Sequence, residues 1–400
     1  MVPNNEMASK PSCLILSILI FVVLPFSLLA LGLLLWYGRE SSGRSRLKAR
    51  MDSLSKQGDP VDNASVESYY RDRTSPANTD AWLAVLNTVS SADFKASTNG
   101  VPYVGIDVEP PVLTTDDWKE EEATLAFLER WKSLHAEVLR LSIDAKPVRF
   151  PIVFDSFATL LPQTHSSRDL ARLLQLQGRV GLRTRDSAVV RDAIDGLLGL
   201  SRVNAGEPFL VSQLVSMAID GVAIGLLKDA VQHDALSEAD LLVLLPKVLA
   251  ATRIGTEWQT TIAGERGTAL PVFIDPKKAQ GMDVISFPGR SCNAAGDAFI
   301  RRALQHRIAT LAIGLRLYED RKGKLPASLN DLSELPMDLK ALAPTKDRSF
   351  GYRRDGNNAK LWGGTFQDAV HIPTEPPAIV AGEPDHSGKE FWLWEFRAVK

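Results

Sequence analysis

From Pro11 to Gly38 the chain carries no charged side chain, and seventeen of residues 14–35 are Leu, Ile, Val or Phe. A bilayer core about 30 Å thick is spanned by about 20 apolar residues in a helix. At roughly −0.3 to −0.6 kcal/mol per such residue near the helix centre, insertion is favoured by several kcal/mol. Ser17, Pro25 and Ser27 reduce that sum without reversing it. A helix in lipid tolerates the kink at Pro25. A cleaved signal peptide would have an apolar region of about 7–15 residues ending in small side chains. This run is longer and ends in Trp36-Tyr37-Gly38-Arg39. The expectation is an uncleaved single-pass anchor over 12–38, preceded by a short tail over 1–11, with the lipid bilayer as its partner. Trp36 and Tyr37 fall where an interfacial aromatic belt belongs, and Arg39, Arg44 and Arg46 follow at the membrane interface.

Lys10 is the only basic side chain just before the span, whereas Arg39, Arg44, Arg46, Lys48 and Arg50 follow it closely. The positive-inside rule therefore places the C-terminal bulk in the cytoplasm. Apolar residues at 45% and charged residues at 24% are ordinary for a folded chain, and exclude a wholly disordered one. A formal charge of −2 gives no basic field for nucleic acid. Two cysteines, Cys13 and Cys292, exclude a disulfide framework and a multi-Cys zinc site.

Past the anchor the expected fold is mainly α: a basic stalk over 39–65, an α-helical domain over 66–270, a linker over 271–298 and a small α+β module over 299–400. Thr79 is placed to cap a helix through Val89, with Ala81, Trp82, Val85 and Leu86 on one face. Thr115, before Asp116 and Asp117, opens a long helix to about Ser142 with the stripe Leu125, Leu128, Trp131, Leu134, Val138 and Leu141. Helical hairpins follow: Ser167–Arg183, Asp186–Val203, a helix opening at Pro208 and running to about Gln232, one capped by Ser237 with Asp240, and one from about Thr256 to Ala269. The Phe209–Val231 stretch is apolar nearly all round. Asp220 in its middle would cost about 2.5–3.5 kcal/mol at a bilayer centre, so a helix surrounded by protein is the better reading. Phe299–Asp320 is amphipathic, Phe350–Arg354 and Ala359–Trp362 flank the turn Asp355-Gly356-Asn357-Asn358, and Phe391–Phe396 reads as a last strand.

The tail carries Leu315-Arg316-Leu317-Tyr318, Gly323-Lys324-Leu325-Pro326, Leu329, Leu332 and Tyr352-Arg353-Arg354-Asp355-Gly356. In these some 50 residues it resembles the C-terminal module of type II secretion pseudopilins. A pseudopilin's prepilin-peptidase site and the Glu at the start of its hydrophobic helix have no counterpart here, so the resemblance implies a helix-plus-sheet module rather than a pilus subunit. The anchor, the Gly58-Asp59-Pro60 break, Arg149-Phe150-Pro151, Glu207-Pro208, Gly264-Glu265-Arg266 and that tail together resemble a bacterial family of single-anchor helical proteins without an established activity. That resemblance implies architecture and a place in the bacterial cytoplasmic membrane. Both families imply an exported bulk, opposite to the flanking charge.

Chemical motifs are sparse. Gly38 to Ser45 superficially matches a phosphate-binding loop with Arg44 in place of Lys, but it follows an anchor rather than a strand; a basic juxtamembrane stretch is the simpler reading. The histidines (His135, His165, His233, His306, His371 and His386) show no metal-ligand spacing, so no metal and no cofactor are expected. Gly199-Leu200-Ser201-Arg202-Val203 lacks the second glycine of a nucleophile elbow, and Cys292 is an isolated thiol. Asn63-Ala64-Ser65 matches a glycosylation acceptor by chance frequency. Trp392 and Trp394 fit the packing of a final strand. The acid–base candidates are Glu207, Asp220 and Glu265. Against them, Glu207 suits a helix N-terminus, and a buried Asp220 needs a cation, for which Arg266 or Arg202 is at hand. A structural ion pair between Asp220 and Arg266 is expected ahead of a catalytic site. The leading expectation is a non-catalytic binding or scaffolding protein with an unidentified protein partner. A carboxylate hydrolase and an accessory part of a secretion system are the alternatives.

Overall fold

The computed structural model describes residues 45–111, 117–155, 159–251, 256–274, 289–344, 350–364 and 391–397. The anchor, Trp36, Tyr37, Arg39, Arg44 and the cap at Thr115 lie outside the described residues. The protein is mainly helical, with a three-stranded antiparallel sheet near the C-terminus. The elements are α1 (45–56), which carries the exposed Arg46, α2 (Asn63–Arg73), α3 (Thr79–Ser90), α4 (Ala92–Ser97), α5 (Glu121–Arg130), α6 (Lys132–Ser142), α7 (Pro162–Thr184), α8 (Ser187–Asn204), α9 (Leu210–Gln232), α10 (Glu238–Ala250), α11 (Thr256–Ile274), α12 (Gly289–Lys322), a 3-10 turn (Leu329–Glu334), α13 (Leu339–Leu342), β1 (Gly351–Asp355), β2 (Asn358–Gly364) and β3 (Phe391–Phe396).

The core forms where α7, α8 and α9 run back and forth through short turns. Asp186 caps α8 by accepting from the Val189 amide, and Arg185 before it takes the left-handed conformation that ends α7 (φ 56°). Leu170, Leu174, Ile194, Leu197 and Leu227 are fully enclosed between the three. α3 packs against α7, α6 against α8, and α10 and α12 against the far sides of α8 and α9. Gly178 allows α7 and α9 to touch closely: a Cβ there would stand 2.2 Å from Leu226 Cδ2.

α12 carries the core into the C-terminal module. Gly356 (φ 59°) makes the two-residue turn that sets Asp355 opposite Asn358, and β2 lies central with Leu361 opposite Trp394 of β3. Trp394 and Phe396 are buried on the sheet face that carries Leu361, and Trp362 is buried on the other face, over Gly351. Buried Arg316 on α12 donates from Nε to Val231 O (2.9 Å), at the carbonyl end of α9, and from Nη1 to Glu319 Oε2 (2.6 Å) and Arg397 O (3.2 Å). One cation thus joins α9, α12 and the end of β3.

Several boundaries depart from the sequence reading. The helix expected over 115–142 is two helices, because Trp131 leaves the helical register to pack at a tilt against Phe94 (centroids 5.0 Å apart, planes at 55°) and donate to Ser97 Oγ (3.0 Å). Its stripe shifts accordingly: Phe127 is buried and Leu125 exposed. The cap of α3 is Asn78, and Thr79 donates instead to Arg149 O (3.0 Å). α7 opens at Pro162, five residues before Ser167, which is interior and fully buried. Pro208 stands outside α9, whose N-cap is Phe209, because it packs against α11. The expected linker 271–298 is helical at both ends: α11 continues through Pro271 to Ile274, and α12 begins at Gly289.

Gly178→Val is expected to cost about 1–3 kcal/mol by overpacking. Gly221→Ala, on the open face of α9 with nothing within 4 Å, should gain about 0.5–1 kcal/mol from helix propensity. Urea unfolding of the two variants checks both signs.

Candidate functional site

α9 is the one helix among the described residues long and apolar enough to cross a membrane, and half of its most apolar window is buried in the protein. Its polar side chains explain why. Ser212, Ser216 and Asp220 recur every four residues and form one buried seam. Ser216 Oγ meets Ser201 Oγ of α8 (2.9 Å) and donates to Ser201 O (2.8 Å). Ser212 donates to Glu207.

Asp220 ends the seam in an ionic cluster. Arg302 Nε on α12 donates to Oδ2, His306 Nε2 stands 3.4 Å from the same oxygen, and Ser201 adds a hydrogen bond. His306 Nδ1 lies 3.2 Å from Val248 O of α10. Burial alone would push the Asp220 carboxyl up, but the Arg302 charge, then His306 and Ser201, hold it well below the usual carboxylate range. The cation is therefore Arg302, not Arg266 or Arg202. Arg302 and His306 stand four apart beside the apolar stripe of α12, a spacing visible in the sequence; what they face is not.

Among the described residues Glu207 has no cation as a hydrogen-bond partner. It is fully buried and accepts from Gln163 Nε2 (2.8 Å) and from Ser212. Burial pushes its pKa up to about 7, against those two bonds. Nearby Tyr70 accepts from the Phe150 amide (2.6 Å) and donates toward Val148 O and Phe150 O; burial, and then the Glu207 charge, raise its pKa. Gln213 Nε2 bridges Glu207 O (2.8 Å) and Ala205 O (3.0 Å). Glu265 Oε1 accepts from the Leu210 amide (2.7 Å), the first N–H of α9; burial raises its pKa and that bond opposes the rise. Ser212 and Asp220 stand eight residues apart, about 12 Å along the helix axis. Glu207 and Asp220 therefore sit at different levels and form no carboxylate pair.

Asp59, Arg149, Gly206 and the 264–267 turn of α11 come together around α2. Arg149 donates to Arg71 O (2.6 Å) and Thr74 O (3.0 Å). Gly264 lies so close to Pro208 that a Cβ would meet Pro208 O at 2.1 Å, and a Cβ on Gly267 would meet Val66 Cγ2 at 2.5 Å. Arg266 pairs with Asp59 (2.7 Å), just after the stalk helix. Beside that pair opens a cleft of about 480 Å³ between residues 57–59, α2 and α11, with Asp59, Tyr69, Arg73, Trp258, Gln259 and Arg266 in its walls. Tyr69, Arg73 and Trp258 carried no motif in the sequence: Tyr69 and Arg73 stand four apart on α2, a spacing common on any helix surface, and Trp258 lies 185 residues further on. Among the described residues no three His, Cys, Asp or Glu side chains converge to hold a metal.

No family model, curated protein or solved structure matches this chain. The functional reading therefore rests on the chain's own geometry.

Glu207 binds its proton more tightly folded than unfolded, where it would titrate near its ordinary 4.5. Its contribution to stability is full below pH 4.5 and is lost as pH rises through about 7, a change of about 3 kcal/mol. Glu207→Gln should remove that loss, so the variant gains on the wild type between pH 5 and pH 8 in urea unfolding. An unchanged difference between those pH values would reject the buried, uncompensated carboxyl.

Proposed function

We propose that the chain is a non-catalytic, membrane-anchored binding protein of the bacterial envelope, with the cleft beside Asp59 as its ligand-facing surface. What supports the non-catalytic reading is that Glu207, Asp220 and Glu265 each spend their oxygens inside the fold: on Gln163 and Ser212, on Arg302, His306 and Ser201, and on the start of α9. Glu207 and Asp220 are 0% and 3% exposed, so neither reaches a substrate from solvent. The open cleft is lined by other side chains. The apolar run over 12–38 supports the anchor, and the basic flank from Arg39 to Arg50 supports a body on the cytoplasmic side.

One observation favours a second reading, a hydrolase. A carboxyl titrating at about 7 with a tyrosine hydroxyl beside it has the pKa of a general acid at neutral pH. Carbodiimide-coupled labelling of the native full-length chain, read by peptide mass spectrometry, separates the two. The binding reading predicts that Glu207 and Asp220 stay unlabelled while half-exposed Asp59 reacts. Labelling of Glu207 at the rate of surface carboxylates would favour the hydrolase. Carbonate extraction of membranes tests the anchor: the full-length chain should stay in the pellet, and recovery of a shortened soluble chain would contradict it.

A further inference from the structure

The cleft beside the stalk carries more cationic than anionic side chains. Arg266 is held by a single carboxylate, Asp59, at 2.7 Å, and its Nε is buried without an acceptor. Arg73 meets no carboxylate among the described residues; it lies over the Tyr69 ring, 3.3 Å from the centroid, and donates only to Tyr69 O (3.2 Å). A guanidinium held over an aromatic ring is oriented in advance, so less rotamer freedom is lost when it engages a ligand. Two guanidinia lining one polar cleft, with one carboxylate paired to Arg266, suit a tetrahedral or planar oxyanion that accepts several charge-assisted bonds. A neutral sugar fits less well, because Arg73 already covers a face of Tyr69, and Trp258 packs against Phe299 (centroids 5.2 Å apart).

We infer that this cleft binds a phosphate-class anion between Arg73 and Arg266, in competition with Asp59. The inference rests on the binding reading above and names its ligand chemistry. The anion comes either from an acidic phospholipid headgroup or from a soluble phosphate or phosphoester. In either case it would loosen the Asp59–Arg266 contact next to Gly58, which has a positive φ (81°) and stands directly after the stalk helix. Ligand binding and the angle of the stalk are then linked.

The test uses the full-length chain in two arms. In the first, inorganic phosphate is titrated by calorimetry into detergent-solubilised protein. In the second, the chain is placed in nanodiscs of phosphatidylcholine alone or with phosphatidylglycerol, and protection of the 57–73 and 258–266 backbones is read by hydrogen exchange. Heat from phosphate assigns a soluble source, and protection specific to phosphatidylglycerol assigns the lipid. In whichever arm responds, Arg73→Ala should weaken the response about tenfold, the loss of one charge-assisted contact. Asp59→Asn, which frees Arg266, should strengthen it several-fold. Arg73 is exposed, so its variant should retain the wild-type melting temperature. Silence in both arms, a response that ignores Arg73→Ala, or weakening by Asp59→Asn in a folded protein overturns the inference. If silence accompanies a chain that still resists carbonate extraction, only the ligand class fails. If phosphate binds a chain that is not membrane-resident, only the anchor fails.

Discussion

A carboxylate midway along an otherwise apolar helix has to be neutralised where it stands. In this chain Asp220 meets that requirement from two other helices: Arg302 and His306 come from α12, and Ser201 from α8. The contact fixes the rotation of α9, because the Ser212–Ser216–Asp220 seam must face α8 and α12 together. With the seam fixed, Leu226 meets Gly178 of α7 and Val231 O meets Arg316. The sheet module is held to the helical body through the same helix pair, α9 and α12.

The site follows from what that arrangement leaves over. Pro208 and Phe209 are drawn out of α9 so that Glu207 can turn inward to Ser212 and Gln163, and α11 closes the turn through Gly264 and Glu265. Other side chains of α11, Trp258 and Arg266, line the open cleft beside residues 57–59. Residues that look chemically active in sequence are thus used to hold helices together. The cleft combines Asp59 and Arg266, read from the sequence for architecture alone, with Tyr69, Arg73 and Trp258, which carry no motif.

The mainly helical body, the hairpin turn at Gly356 and the cap at Ser237 with Asp240 were legible because each rests on local spacing. So was the need of Asp220 for a cation. Which cation meets it was not legible, because Arg302 lies 82 positions away and is placed by the packing of α12 across α9. The break at Trp131 escaped for the same reason: helical periodicity continues through it, and only the docking of the indole on Phe94 and Ser97 ends α5. The late start of α9 depends on the packing of Pro208 against α11, which no window of sequence contains; the start of α7 at exposed Pro162 follows instead from the local preference of proline for the first helical turn. The cleft was invisible because residues 57–73 form one side of it and residues 258–266, nearly 200 positions further on, form the other.

The alignment of α9 with α12 depends most on the mutual neutralisation of Asp220 and Arg302 inside the protein. A double-mutant cycle with Asp220→Asn and Arg302→Met, read by urea unfolding of the full-length chain, measures this directly. Either single change should cost about 3–5 kcal/mol by leaving the other group buried and unmatched. The double variant should cost clearly less than the two together, a coupling of at least about 1.5 kcal/mol. Additive costs, with no coupling, would mean that the two side chains do not share a buried contact, and the alignment of α9 with α12 would have to be abandoned.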